Sequence, residues 1–411
     1  MKRIGAFIPV CILLLSLLSG CAASPRMPKD DAYHPETDYP YPMQSYLPLQ
    51  KFAESDEGFY FYAPSLMYYM DKNSMEPLPL CGKPECLHAA ETEKARYEAC
   101  NAYLMPFKMA GMAWYDGALY VIAPDSAQDR DAPAIQRISA DGAERRTLWS
   151  FSRDTNVTQM LLHRGVLYMT MSSFTEDGRA LTGLYAYTLS APKKAPQLLL
   201  ACEEKMAASQ QGLNAYGRYV YIIRGTTEEY DTRELCIYDT QSGEVTTLGM
   251  QDELWSPLTV TFFGGKLLVS CQSIVPMDDD PEYPYPSRVY RCGLDGSDPE
   301  CVWEGYGFFT ADENYIYCEA NVWRSGGEDH WLHILDGDFN ELDRIDICEL
   351  RGSGHAPSFI CQPSRSGTVF ISFWAAPPEG GSQRRYIFGF DRSEIGSGHI
   401  AVTPILDYLP R

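Results

Sequence analysis

The chain has 411 residues, 45% hydrophobic and 13% aromatic, with 28 tyrosines and a formal net charge of −21. The apolar content is ample for a core, and the tyrosine-rich composition suits strands better than helices. So negative a surface argues against nucleic acid and against electrostatic docking on anionic lipid, since both carry the same sign.

At the N-terminus, Lys2 and Arg3 precede an uncharged run from Ile4 to Gly20, too short for a stable membrane span and flanked like a secretory leader. It ends in Leu18-Ser19-Gly20-Cys21, small residues leading to a cysteine. This resembles the lipobox of bacterial lipoproteins. The resemblance implies a signal peptide over 1–20, lipidation of Cys21, and a mature protein anchored on the extracytoplasmic side of the cell membrane. Two acyl chains would exceed the marginal hold of one, at about 0.8 kcal/mol per buried methylene. Six prolines follow between residues 22 and 50, a composition that stays extended and builds no core. We read 21–45 as a Pro/Tyr-rich tether and 46–411 as the folded body.

The body repeats one pattern seven times: a turn, then a short aromatic or aliphatic strand ending at Tyr60, Tyr120, Tyr168, Tyr221, Leu268, Tyr317 and Phe370. These positions lie 47 to 60 residues apart. Within 261–305, strands are expected over 261–263, 267–271, 288–294 and 300–303, the second of them innermost. Third strands end at Asp71, Asp141, Asp239, Asp295, Asp336 and Asp391, residues suited to tight turns. Four antiparallel strands in a repeat of this length indicate an all-β fold, a β-propeller with seven blades. The N-terminal strand, within 46–54, is expected to pair in the last blade and so close the ring.

The first repeat is lengthened by an insertion over 81–101, Cys81-Gly-Lys-Pro-Glu-Cys86-Leu-His88 followed by Cys100-Asn-Ala-Tyr. Three cysteines and a histidine suit a closed tetrahedral zinc site, and an oxidising compartment suits a disulfide among them. This stretch, behind the lipobox and ahead of propeller repeats, resembles a group of uncharacterised lipoproteins from Gram-positive anaerobes. They are similar to propellers of the periplasmic TolB type and have no established activity, so the likeness implies fold and address only. The other eight cysteines after Cys21 fall mostly in expected strands and read as small buried hydrophobes. Cys292 and Cys301 would face each other only if Gly296-Ser297 formed a two-residue hairpin loop.

Connections between second and third strands look long in six repeats and are acidic and aromatic. Long loops on a rigid scaffold commonly carry binding. Tyr230, Asp278, Asp279, Asp280, Tyr283, Trp323 and His330 are the candidate ligand-binding face, for a protein or carbohydrate partner. The run 278–280 with Glu282 offers hard oxygen ligands for calcium but lacks the glycine turn of a calcium loop. No Gly-x-Ser-x-Gly, His-Glu-x-x-His or phosphate-binding glycine loop occurs. The reading is a monomeric, non-catalytic binding module. A surface carbohydrate-active hydrolase or lyase and a structural envelope scaffold are the alternatives.

Overall fold

The computed structural model describes residues 27–34, 37–38, 52–63, 65–86, 88, 98–105, 110–125, 129–174, 180–202, 212–225, 233–248, 255–274, 286–305, 307–320, 331–351, 359–375 and 384–408. Seven four-stranded antiparallel sheets follow one another along the chain, over 52–79, 111–150, 156–202, 213–248, 255–305, 307–346 and 359–408. Each takes its strands in sequence order, and the first strands of blades 1 to 6 each lie beside the first strand of the following blade. The fold is a seven-bladed β-propeller with the first strands lining the centre.

The repeated aromatic position explains the tyrosine content. Tyr60, Tyr120, Tyr168, Tyr221, Leu268, Tyr317 and Phe370 all sit on second strands and are all buried. Burying a phenol requires a partner for its hydroxyl. Tyr60 donates to Ala140 O at 3.2 Å and Tyr221 to Leu294 O at 2.8 Å, each reaching the outer hairpin of the following blade. One residue type thus supplies both blade core and blade-to-blade bond. The outer hairpins use their aspartates as expected. Oδ1 of Asp71, Asp141, Asp239, Asp295, Asp336 and Asp391 accepts from a backbone N–H two residues on, in six of the seven blades.

Two strand expectations are corrected. The strand after the tight turn is the second, not the innermost: in blade 5 Trp255–Phe263 lines the centre and Lys266–Ser273 pairs outside it. Its inner strand is longer than expected because Trp255, Leu258 and Val260 are all buried. In blades 2 and 3 the strands also run through most of the supposed long loops, with Asp125 opposite Asp129 and Phe174 opposite Ala180.

Among the described residues, the N-terminal strand does not pair in the last blade. Phe52–Glu54 is the inner strand of blade 1, with Phe52 opposite Phe61, and Thr403–Tyr408 completes blade 7 from its own segment. Closure is made by side chains instead. Phe52 and Phe59 pack on Phe370 of blade 7 with ring centroids 4.8 and 4.9 Å apart. The Glu54 carboxylate, 3% exposed, crosses the seam and accepts from Arg365 N at 2.7 Å and Ser366 N at 3.0 Å. Lys72 lies 2.8 Å from the same carboxylate and neutralises it. Phe52–Glu54 is taken up in the sheet of its own blade, and the seam is sealed by apolar packing and a buried carboxylate.

Candidate metal centre and central cavity

The four residues picked out in the insertion converge. One ligand atom each from Cys81, Cys86, His88 and Cys100 lies within 4.8 Å of all the others, and Cys100 Sγ is 3.7 Å from His88 Nδ1. Tetrahedral zinc with metal–sulfur bonds of about 2.3 Å has ligand–ligand edges of about 3.8 Å. All three cysteines are free thiols, and a disulfide would leave the histidine without a role. His88 takes a left-handed backbone conformation, φ 52°, costly for a non-glycine residue and common where a side chain must be aimed. Burial opposes ionisation of Cys81, but backbone N–H groups of Lys83 and Asn101, with the thiols of Cys100 and Cys86, outweigh it and hold its pKa below the ordinary thiol value. Burial pushes the Cys100 thiol up to about 12.

The cluster bridges two blades. Cys81 and Cys86 follow the last strand of blade 1, while Tyr103 forms a β-bridge with Leu66 of the same blade. Next to Cys100, the Asn101 amide donates to Gly142 O at 3.0 Å and Ala143 O at 3.1 Å in the outer hairpin of blade 2. Arg145 of blade 2 donates to Tyr103 O at 2.7 Å. A metal here would tie together the start and end of the insertion at the border of blades 1 and 2.

A second arrangement was not foreseen. Residues 27–34, 37 and 38, inside the stretch read as a tether, dock on the hairpin turns of blades 2 to 4. Arg164, in the first turn of blade 3, uses all five of its N–H donors on this segment. Nε and Nη2 grip Asp38 at 2.7 and 2.9 Å; Nη1 donates to Pro28 O and Asp30 O, and Nη2 to Ala32 O. Arg164 N also donates to Thr37 O at 3.0 Å. Both ends of the ion pair are buried, at 7% and 1% side-chain exposure. A buried guanidinium is tolerable only when saturated in this way. At the first turn of blade 4, Gly217 has φ 57°, and a Cβ there would come within 2.4 Å of Asp31 O. His163, beside Arg164, is 1% exposed and bonds Gly217 O through Nε2 at 2.7 Å. Burial lowers its pKa below the ordinary imidazole value.

The docked segment carries Tyr33 to the wall of a cavity of about 420 Å³. The other walls come from the inner ends of blades 4 to 7, including Tyr216, Phe262, Asp312, Glu313 and Arg365. They are first-turn residues, so the cavity lies at the end of the ring opposite the second-to-third-strand connections. Its two carboxylates, Asp312 and Glu313, share one turn rather than facing each other. Asp312 is already engaged by Arg392 at 2.9 Å and Tyr317 Oη at 2.8 Å. A glycosidase pair facing across a cleft is therefore not formed by these two residues.

Of the other sites expected from sequence, Cys21, Tyr230, Asp278, Asp279, Asp280, Tyr283, Trp323 and His330 lie outside the described residues. Cys292 and Cys301 do not face each other: Tyr290 opposes Cys301, because Gly293 N bonds Ser297 O and the loop is wider than two residues.

No protein-family model and no curated protein matches the chain. Solved structures similar to it are propellers. The propeller domain of the trilobed protease from Pyrococcus furiosus, described as having an open velcro topology, is 15% identical with a TM-score of 0.44, over 71% of this chain and 83% of that one. A prolyl endopeptidase is 13% identical with a TM-score of 0.49, over 84% of this chain and 47% of its own, so the chain spans about half of that enzyme. A hypothetical selenium-binding protein from Sulfolobus tokodaii is 10% identical with a TM-score of 0.47, over 92% of this chain and 93% of that one.

Proposed function

We propose that this protein is a lipid-anchored, extracytoplasmic propeller that serves as a non-catalytic binding module, held at the membrane through Cys21. The observation that carries the binding reading is the cavity walled by four blades and the docked N-terminal segment. Its size falls within the range of small-molecule sites, roughly 300–1,000 Å³. The full chain with Cys21→Ser, which avoids lipidation, is screened by ligand-observed NMR against short peptides and oligosaccharides. Binding by one class, lost when Ala311→Trp fills the cavity, is the expected result. Equal behaviour of the native and Ala311→Trp proteins towards every class would refute it. Lipidation has its own readout, a diacylglyceryl mass on an N-terminal peptide beginning at Cys21.

Zinc is the cofactor that the insertion fits, with Cys81, Cys86, His88 and Cys100 as a closed set leaving no place for substrate. Its role is structural: it holds the insertion between blades 1 and 2. Protein purified anaerobically is expected to contain one zinc per chain, and cobalt in its place should show tetrahedral thiolate bands. Cys86→Ser should abolish both. A metal-free protein with Cys81, Cys86 and Cys100 short of two reactive thiols would establish a disulfide clamp instead.

A further inference from the structure

His163 is a buried imidazole set between the two turns on which the N-terminal segment rests. Its own peptide bond leads into Arg164, whose N–H donates to Thr37 O at 3.0 Å and whose guanidinium grips Asp38. On the other side its Nε2 lies 2.7 Å from Gly217 O, and Gly217 faces the segment so closely that a Cβ would come within 2.4 Å of Asp31 O. The ring therefore joins the anchor on blade 3 to the anchor on blade 4.

A carbonyl oxygen only accepts, so Nε2 carries the ring proton and the neutral ring leaves Nδ1 bare. Nδ1 is buried and has no hydrogen-bond partner among the described residues. A proton added there makes a donor without an acceptor. It also places a second positive charge one residue from the Arg164 guanidinium, on a side chain 1% exposed. The charged groups around it do not absorb that charge. Arg164 already occupies both oxygens of Asp38. Asp30 is 61% exposed and faces His34 Nε2 at 2.7 Å, a pair that gains from acid but is screened by water. Beyond Gly217, Arg218 lies 3.1 Å from Asp31 and 3.4 Å from Asp239. The nearby phenols of Tyr33, Tyr168 and Tyr216 are kept neutral by burial. Burial also outweighs the attraction of Asp38 for a charged ring, so His163 titrates below the ordinary imidazole value while the segment is docked.

We propose that this junction is an acid-operated latch: protonation of His163 undocks the N-terminal segment from blades 3 and 4 while the blades stay folded. Undocking disturbs the least structure, because residues 27–34, 37 and 38 belong to no sheet and are held by the turns alone. As the segment leaves, Tyr33 comes away from Tyr216, on which it stacks at 5.7 Å, and the cavity loses one wall. A ligand held there at neutral pH is released in acid. The latch itself needs no ligand, so it stands or falls apart from the binding-module reading.

The test is hydrogen exchange of the Cys21→Ser chain between pH 7.5 and 5.0, corrected for the intrinsic pH dependence of exchange. One proton taken up on opening, by an imidazole that regains its ordinary pKa of 6.5, raises the opening constant of 27–38 about tenfold at pH 5.5. The strand Val166–Phe174 should keep its protection, and a return to pH 7.5 should restore that of the segment. His163→Gln keeps a donor for Gly217 O and cannot titrate, so its segment should exchange alike across the range. His34→Gln removes the other imidazole and should keep the acid response. No rise in the native chain, a rise that persists in His163→Gln, or loss of the blades together with the segment would overturn the proposal. Should His163→Gln fail to fold, the His163 imidazole signals in the native chain decide: titration in step with release supports the latch, and titration with the segment still protected refutes it.

Discussion

Replacing Glu54 with alanine tests how the ring is closed. The carboxylate accepts from Arg365 N and Ser366 N across the seam and is 4% exposed as a side chain. Hydrogen bonds to a charged acceptor contribute about 1.5–3 kcal/mol each, so losing two costs about 3–6 kcal/mol, comparable to removing one partner of a buried pair. Lys72 adds little, since it is 22% exposed and keeps Ser55 O at 2.8 Å. Urea unfolding should show that loss, and heating a fall of roughly 4–8 °C. Glu54→Gln should recover part of it, since its amide oxygen can still accept one N–H. Hydrogen exchange locates the damage: the amides of Arg365 and Ser366 should lose protection before those of blades 3 to 5. If Glu54→Ala unfolds within about 1 kcal/mol of the native protein, the anion is not what seals the seam.

Other outcomes follow from the same geometry. Burial depresses the His163 pKa from 6.5 in the folded state, so below that value the unfolded chain binds more protons. Stability should be flat above about pH 6.5 and decline as pH falls towards the folded pKa; urea midpoints between pH 8 and 5.5 measure it, and His163→Gln should flatten the slope. Hydrogen bonds from Asn340, side chain then backbone, lower the Asp336 pKa, and those from Asn73 and Ser74 lower that of Asp71. Their contribution is present above about pH 3.8 and should be lost as pH falls through the depressed values, which carboxyl chemical shifts would follow. Arg164→Lys cannot reproduce the five-donor fork, so limited proteolysis should cut within 27–38 at least tenfold faster while leaving the blades intact. Gly217→Ala should release the same segment from the blade 4 side, because its Cβ would meet Asp31 O at 2.4 Å.

The blades were legible in the sequence because each signals locally. A turn precedes a buried aromatic, and an aspartate closes the outer hairpin, all within a few residues of one another. The convergence of the three cysteines and the histidine was legible for the same reason, as His88 and Cys86 are neighbours and Cys100 introduces the Asn101 that pins the loop. Closure was not, since Phe52-Ala53-Glu54 is a three-residue strand whose decisive partners lie more than 300 residues away. Prolines at 25, 28, 35 and 40 underlie the reading of that stretch as a tether. Composition does not reveal that Pro28, Asp30 and Ala32 present carbonyls to one arginine in blade 3. The cavity escaped for a related reason, being assembled from a few residues of each of four repeats together with Tyr33.

The clasp on Arg164 also bears on which way the propeller looks. Only six Cα steps separate Cys21 from Met27, which touches Tyr115 and Gly165 on the hairpin-turn end of the ring. At about 3.3–3.6 Å per residue that is a reach of about 20 Å. With the lipid proposed at Cys21, the docked segment would work as a short leash on one side of the disc. The cavity mouth would open into the narrow layer between protein and bilayer, and the opposite rim would face outward. A solute arriving from the cell's own surface would then meet the cavity before one arriving from the surroundings.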